Sequence, residues 1–103
     1  MIRVSVCYPN GPNVKFDWDY YINKHVAGVT QKLGPLGLVR GEVDRGAGRG
    51  QPGAPAPFVA MAHMYFNNMQ DLQKCMANAA AMMADVPNFT NIQPQVQISE
   101  IVA

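Results

Sequence analysis

The sequence predicts an α+β fold of the ferredoxin-like type, in which two helices cover one face of a four-stranded antiparallel sheet. Two observations lead to this prediction. Four short segments have the apolar pattern of strands, and two longer segments repeat apolar residues every three or four positions, as helices do. Their order along the chain is strand, helix, strand, strand, helix, strand, which is the order of a split βαβ unit.

The first half of the chain contains the first two strands and the first helix. Residues 2–8 (IRVSVCY) alternate apolar and polar side chains, which predicts a strand, and the turn-forming segment PNGPN follows it. Asp17 is a suitable N-cap for a helix that runs to about Leu33 and ends at the following glycine-proline pair. A second strand is expected over residues 36–44. The apolar stripe expected along the helix consists of Trp18, Ile22, Val26, Val29 and Leu33.

The second half begins with a glycine- and proline-rich segment, residues 46–57. It predicts a flexible hairpin connection rather than a phosphate-binding loop, because a strand and not a helix follows it. Residues 57–66 are a continuous apolar run too short for a helix, so we expect a strand buried on both faces. Asn67 or Asn68 then caps the second helix, and a last strand covers residues 95–102. The stripe expected to face the sheet consists of Met69, Leu72, Met76, Ala79 and Met83.

Length and composition limit the classes of protein to consider. The 103 residues suffice for one hydrophobic core, so we expect a single domain over residues 1–103. The net charge is +1 and no basic cluster is present, which argues against nucleic acid and anionic membranes as partners. No apolar run is long enough to span a membrane, and the first residues do not resemble a signal peptide, so we expect a cytoplasmic protein. Cys7 and Cys75 are expected to be free thiols, and no group of residues has the spacing of a metal site.

Two helices cannot cover both faces of a four-stranded sheet. If Val4 and Val6 meet the helices, Ser5 and Cys7 point to the opposite face. Either parity of the third strand is too apolar to face water, which predicts a homodimer whose second copy covers this face around a partly wet pocket. The parity itself stays open, so His63 faces either that pocket or the helices.

The segment FDWDYYINKH, residues 16–25, holds the densest group of rings in the chain. Helical spacing puts Tyr21 and His25 along one edge of the buried stripe, one turn apart, and points Tyr20 into solvent. Phe16 precedes the N-cap, where an apolar residue acts as a hydrophobic staple. Because histidine titrates near neutral pH (reference pKa about 6.5), His25 at a cavity edge is a candidate acid–base group. The alternative is a buried, neutral histidine with a structural role, and His63 allows the same two interpretations.

Two stretches, FDWDYYINKH (16–25) and PNFTNIQPQVQISEI (87–101), resemble the EthD family of small bacterial proteins in their order and separation, and YFNN (65–68) fits the same pattern. The resemblance covers almost the whole chain apart from the glycine- and proline-rich loop. It implies a dimeric α/β barrel, in which two ferredoxin-like subunits join sheet to sheet around a cavity. The family is associated with the degradation of ethers such as ethyl tert-butyl ether, alongside an oxidising system. Relatives on the same barrel include cofactor-free monooxygenases, decarboxylases, isomerases and haem-handling enzymes.

The resemblance also implies roles for individual residues. The family's first-helix motif runs from an aromatic residue through a tyrosine to a histidine, which matches Phe16, Tyr21 and His25, and the histidine is the candidate active group. Family members often continue with a hydrophobic residue, proline and leucine, whereas this chain has the sequence VAG at 26–28. A proline there would kink the helix and help to aim the ring, so the resemblance alone does not fix the orientation of His25.

The leading hypothesis is an EthD-like enzyme of oxidoreductase type, acting on a hydrophobic, aromatic or enolisable substrate in the dimer cavity. His25 is the expected general base, and Tyr21 is expected to orient it. The expected substrate-contacting residues are Phe16, Cys7, His63 and Tyr65. No cofactor is expected. An enzyme with haem bound through His25 is the less favoured alternative, because nothing else in the chain supports it. Decarboxylation and isomerisation are the other reactions considered. The alternative is a non-catalytic dimeric binding or accessory protein for a hydrophobic metabolite, and a purely structural role ranks last.

Overall fold

The computed structural model describes all 103 residues, Met1–Ala103. Its four strands form one antiparallel sheet in the order β2-β3-β1-β4, which confirms the ferredoxin-like fold. The strands are β1 (Ile2–Pro9), β2 (Leu38–Arg45), β3 (Phe58–Phe66) and β4 (Gln95–Glu100). The α-helices are α1 (Trp18–Tyr20), α2 (Ala27–Leu33), α3 (Met69–Met76) and α4 (Ala79–Ala84). A π-helical segment (Tyr21–Val26) joins α1 to α2, and short 3₁₀ turns cover Gly34–Leu36 and Val86–Asn88.

The register of the sheet settles which side chains face the helices. Val4 lies opposite Met64 of β3 and Ile98 of β4, and Ser5 lies opposite His63 and Gln97. Directly opposed residues project from the same face of a sheet, so each set shares a face. Val4 and Val6 of β1 therefore face the helices. The residues that alternate with them point to the opposite side of the sheet, here called the open face. On β1 and β3 these residues are Arg3, Ser5, Cys7, Met61, His63 and Tyr65.

The first helix has the predicted bounds, and Trp18, Val26, Val29 and Leu33 of the expected stripe pack against the core, but Ile22 does not. Asp17 is the N-cap, as predicted, and its side chain accepts a hydrogen bond from the backbone N–H of Tyr20 at 3.1 Å. The residue that is buried is Tyr21, which is 1% exposed, whereas Ile22 of the expected stripe is 43% exposed. The π segment explains why Tyr21 is buried and Ile22 is not, because its wider turn changes the angle between successive side chains from that of an α-helix. Tyr20, expected in solvent, is partly buried.

The second helix is interrupted, and its expected stripe is wrong in part. α3 stops at Met76 and α4 starts at Ala79, with Asn68 as the N-cap of α3. Leu72 and Cys75 are buried, but the methionines of the stripe are 38–45% exposed. The stripe methionines concerned are Met69, Met76 and Met83. Met76, Ala79 and Met83 nevertheless border the cavity between the sheet and the helices, so this part of the expected stripe faces the sheet across an unfilled space.

The remaining connections agree closely with the sequence. Residues 46–57 form neither helix nor strand, as predicted, and their flexibility stays a prediction. The observed strands begin and end within two residues of the predicted bounds. β3 is half-buried along most of its length, because this chain covers only one of its faces.

None of the helices has the length and apolar character needed to cross a membrane.

The core consists of two apolar clusters on the helix side of the sheet. One contains Tyr8, Tyr21, Ala60, Val86, Phe89 and Ile92. The other contains Val4, Leu33, Phe66, Leu72 and Cys75. Members of both clusters border a cavity between the sheet and the helices. The two clusters therefore do not fill the interior completely, and the cavity that both of them border is large enough for a small ligand.

The core assignment of Leu72 is testable against Met69, one turn away on the same helix. Leu72 is 2% exposed, so Leu72→Ala leaves a cavity and should lower the free energy of unfolding by about 2–5 kcal/mol. Met69 is 45% exposed, so Met69→Ala should cost less than about 1 kcal/mol. Urea denaturation followed by circular dichroism measures both, and equal losses would contradict the assignment.

Candidate active site

An apolar cavity lies between the helix face of the sheet and the helices that cover it. Its volume is about 310 Å³, and 16 of the 21 residues that border it are hydrophobic, so a ligand would be held mainly by apolar contacts. No lysine or arginine borders it. The pocket expected between two sheets would need a second copy of the chain. The cavity formed by one chain lies on the other side of the sheet.

His25 stands at the edge of this cavity, in the π segment of the first helix. Its ring stacks nearly parallel on the ring of Tyr21, with centroids 5.7 Å apart and an interplanar angle of 15°. The ring of Phe89 contacts it from another side, at 4.7 Å between centroids. The imidazole is 12% exposed. Packing on two sides therefore restricts the ring orientation that the sequence left open.

The two stretches that carry the family resemblance meet at this point. Phe16 forms an isolated antiparallel bridge with Thr90, and the backbone N–H of Asp17 donates to the carbonyl of Phe89 at 2.7 Å. Phe16 also packs edge-on against Tyr21, four residues after the N-cap, at 4.9 Å between centroids. This contact confirms the hydrophobic staple.

Asp85 belongs to the candidate site but has no signal in the sequence that would identify it. Its Oδ2 lies 2.9 Å from Nδ1 of His25, and its Oδ1 accepts from the Tyr20 hydroxyl at 2.7 Å and from the Asn88 amide at 2.8 Å. An ionised carboxylate can only accept hydrogen bonds, so Nδ1 of His25 carries the proton and donates it to Asp85. Sixty residues separate the pair, and spacing along the chain gives no signal for it.

The hydrogen bonds around Asp85 keep it ionised. The amide of Asn88, the hydroxyl of Tyr20 and the ring of His25 together lower the pKa of Asp85 to about 2. Because Asp85 stays ionised and accepts the hydrogen bond from Nδ1, neutral His25 is held in the tautomer that carries its proton on Nδ1. Nε2 is then the free acceptor. No group of the chain hydrogen-bonds Nε2 of His25. Because Nδ1 is occupied, Nε2 is the nitrogen available to a ligand.

The structure separates the six candidate residues into three groups. Tyr21 and His25 border the cavity, and Phe16 supports them from the aromatic cluster without bordering it. The remaining three, Cys7, His63 and Tyr65, have their side chains on the open face of the sheet. Their expected contact with substrate stays a prediction.

The open face has its own polar network. Nε2 of His63 donates to Asp44 at 3.0 Å, and its Nδ1 lies 2.9 Å from the hydroxyl of Ser5. The Tyr65 hydroxyl donates to Glu42 at 2.7 Å. Burial raises the pKa of the Cys7 thiol, which disfavours its reactive thiolate form. His63 also borders the helix-side cavity, but its ring is engaged on the open face.

Comparisons with known proteins support the family. The EthD domain matches residues 13–93 of the chain. An EthD-like protein from Ralstonia eutropha has 33% identical residues, with a TM-score of 0.89 over 99% of this chain and 92% of that one. The search of curated proteins finds no match.

More distant structures share the fold alone. A dimeric ferredoxin-like protein from an uncultured marine organism has 9% identity and a TM-score of 0.61, over 100% of this chain and 96% of that one. SnoaB, a cofactor-independent oxygenase from Streptomyces nogalater, has 10% identity and a TM-score of 0.61, over 97% and 90%. The matched domain and the Ralstonia relative together show that this chain belongs to the EthD family.

Proposed function

We propose that this chain is a small-molecule enzyme of oxidoreductase type, acting on a hydrophobic, aromatic or enolisable substrate with His25 as general base. The observation that carries the proposal is the pair formed by His25 and Asp85 at the edge of an apolar cavity. A base needs a free nitrogen, a fixed tautomer and a place beside the substrate, and the pair supplies all three.

The proposed first step is removal of a proton from an acidic C–H or O–H of the substrate by Nε2 of His25. The imidazolium that forms keeps its Nδ1–H on Asp85, whose negative charge stabilises it. The stacked ring of Tyr21 limits rotation of His25, so the base need not be oriented in each turnover. Asp85 and Tyr21 are therefore positioning residues in this proposal.

The oxidoreductase step uses dioxygen as co-substrate. The two electrons of the substrate carbanion form a bond from carbon to one oxygen atom, and the proton held by His25 passes to the other oxygen to give a hydroperoxide. Carbon is oxidised and dioxygen is reduced, so this step needs no cofactor. SnoaB supports it to the extent that a protein of this fold is a cofactor-independent oxygenase.

The second candidate function is a non-catalytic binding or accessory protein for a hydrophobic metabolite. The cavity lining favours it, because 16 of 21 bordering residues are hydrophobic and a carrier needs no base. A ligand that binds stoichiometrically and is recovered unchanged, with and without oxygen, would support this function over the enzyme.

We also propose that the protein is a homodimer joined through the open sheet face. Met61 lies on that face, where a partner would cover it. The dimeric ferredoxin-like neighbour shows that the fold occurs in this form.

The base is tested by hydrogen exchange at carbon. The wild-type protein should accelerate exchange of the acidic α-protons of 2-tetralone, an enolisable aromatic ketone, in deuterated buffer, as followed by NMR. His25→Gln should reduce the catalysed rate by about 10²–10⁴-fold, because glutamine accepts no proton at this pH. His63→Gln changes the other histidine, whose ring nitrogens are both engaged with Asp44 and Ser5 on the open face, and is the control. An unchanged rate in His25→Gln would exclude His25 as the base.

The ionised state of Asp85 is tested by stability at acid pH. The folded-state pKa of about 2 lies below the ordinary value of 3.8, so the stabilisation is complete above about pH 4 and is lost as the pH falls through about 2. Urea unfolding between pH 5 and pH 2 should show a steeper loss for wild type than for Asp85→Asn. Asp19→Asn removes an exposed carboxylate from the first helix and should behave like wild type. Identical slopes for wild type and Asp85→Asn would contradict the assignment.

The dimer is tested by light scattering at micromolar concentration. Wild type should have twice the mass of one chain, and Met61→Glu should be a folded monomer because it places a charge in the middle of the covered face. Met69→Glu adds the same charge on α3, on the helix side of the sheet, where Met69 is 45% exposed, and should stay dimeric. A monomeric wild-type protein would rule out the interface.

A further inference from the structure

The cavity contains two hydrogen-bond donors that nothing in the chain uses. Tyr8 on β1 and Tyr21 on the first helix both border the cavity, and each residue is 1% exposed. The chain's other two tyrosine hydroxyls have carboxylate partners, Tyr20 on Asp85 and Tyr65 on Glu42, whereas those of Tyr8 and Tyr21 have none within the chain. Buried hydroxyls are normally hydrogen-bonded, so this pair requires an explanation.

These two hydroxyls are not sealed inside the core. Nε of Arg3 is the one side-chain polar atom that is both fully buried and without a partner, so the hydroxyls of Tyr8 and Tyr21 each keep some accessible surface, and both residues border the cavity. The two rings pack edge-to-face with centroids 5.8 Å apart, and Tyr21 in turn stacks on His25. Two free O–H groups and one free imidazole nitrogen therefore belong to neighbouring rings around the same space.

Both phenols stay protonated at neutral pH. Burial raises the pKa of Tyr8 to about 12, and burial together with the neighbouring Tyr8 raises the pKa of Tyr21 well above its usual value. They therefore act as donors rather than as phenolates. No lysine or arginine borders the cavity, so a substrate that is already an anion would find no counter-charge there other than protonated His25.

We propose that the hydroxyls of Tyr8 and Tyr21 form a two-donor site for the oxygen of a neutral carbonyl compound whose neighbouring C–H is the proton that His25 removes. This inference rests on the proposed function and adds to it the substrate class and a second tyrosine. Proton transfer breaks the C–H bond, its electron pair forms the C=C bond of the enolate, and the carbonyl π electrons move to oxygen. The negative charge on that oxygen is the charge that the two O–H groups stabilise.

The arrangement favours the transition state over the ground state. A neutral carbonyl is a moderate acceptor, and an enolate oxygen is a much stronger one, so both hydrogen bonds strengthen as the proton leaves. The donors already lie in an apolar cavity, where such bonds are stronger than in water. An α-carbon is separated from its carbonyl oxygen by only two bonds, which requires base and donors to converge. The contacts of Tyr21 with both Tyr8 and His25 put the three rings next to one another, and the convergence of their hydroxyls with Nε2 is part of the proposal.

The experiment separates oxygen recognition from catalysis. Two probes share one apolar body: 2-tetralone has the carbonyl oxygen, and tetralin lacks it. Affinities measured by calorimetry should favour 2-tetralone in wild type, and Tyr8→Phe or Tyr21→Phe should each reduce that preference about 2–10-fold while affinity for tetralin stays the same. Tyr65→Phe, which removes a hydroxyl on the other face, is the matched control. Phenylalanine preserves the ring, so the fold should survive, and circular dichroism checks this.

The exchange assay distinguishes failure of this inference from failure of the proposed function. Tyr8→Phe should lower catalysed exchange of 2-tetralone by about 10²–10³-fold, the usual effect of losing one such donor. If His25→Gln abolishes exchange and Tyr8→Phe leaves it unchanged, the base stands and the two-donor site is wrong. If wild type catalyses no exchange but Tyr8 and Tyr21 still set the preference for 2-tetralone, the site stands and the base is wrong. Equal affinity for the two probes, or binding of neither, overturns the two-donor site.

Discussion

The backbone bridge between Phe16 and Thr90 holds together the parts of the chain on which the candidate site depends. The bond from the N–H of Asp17 to the carbonyl of Phe89 fixes the start of the first helix against the segment that follows α4. Asp85, a few residues before this contact, is thereby kept within hydrogen-bond distance of His25. Phe89 contributes a second restraint by packing on the imidazole. The hydrogen bond from Tyr20 to Asp85 and the packing of Tyr21 against Val86 and Phe89 join the same two segments.

The π segment determines how the first helix presents its side chains. A regular α-helix from Trp18 to Leu33 would have turned Tyr21 towards the edge of the buried stripe. The wider turn instead buries Tyr21 and brings His25 beside it, with the two rings almost parallel. π-helical turns are uncommon, and they often occur where a protein needs a side chain in a particular direction. Family members with a proline after the histidine would alter the helix at the same place by a different means.

The helix side of the sheet is not completely filled, because a cavity of about 310 Å³ remains between the sheet and the helices. The second helix is interrupted between Met76 and Ala79, and methionine side chains border the resulting space. Unbranched methionines adapt to ligands of different shape, which suits a small-molecule cavity better than a tightly interlocked core. An apolar cavity lowers the stability of the folded protein, because the side chains that line it lack packing contacts. Its position next to His25, which is hydrogen-bonded to Asp85, is what selection for function would produce.

The sequence by itself determined the order of elements, the N-cap at Asp17, a second N-cap at Asn67 or Asn68, and the choice of His25 and Tyr21 as candidate site residues. Alternation, helical spacing and capping chemistry act over a few residues, so they can be counted along the chain. The family resemblance added the aromatic, tyrosine and histidine motif. These signals were strong enough to give the correct fold class.

Only the tertiary structure decided the features that depend on long-range contacts. The sheet register put His63 on the open face, packing buried Tyr21 instead of Ile22, and the folded chain brought Asp85 to His25 and left the hydroxyl of Tyr8 free. Each of these outcomes depends on segments far apart in sequence meeting in one place. Local periodicity contains no information about such meetings, because hydrogen bonds and packing between distant segments depend on distance in space.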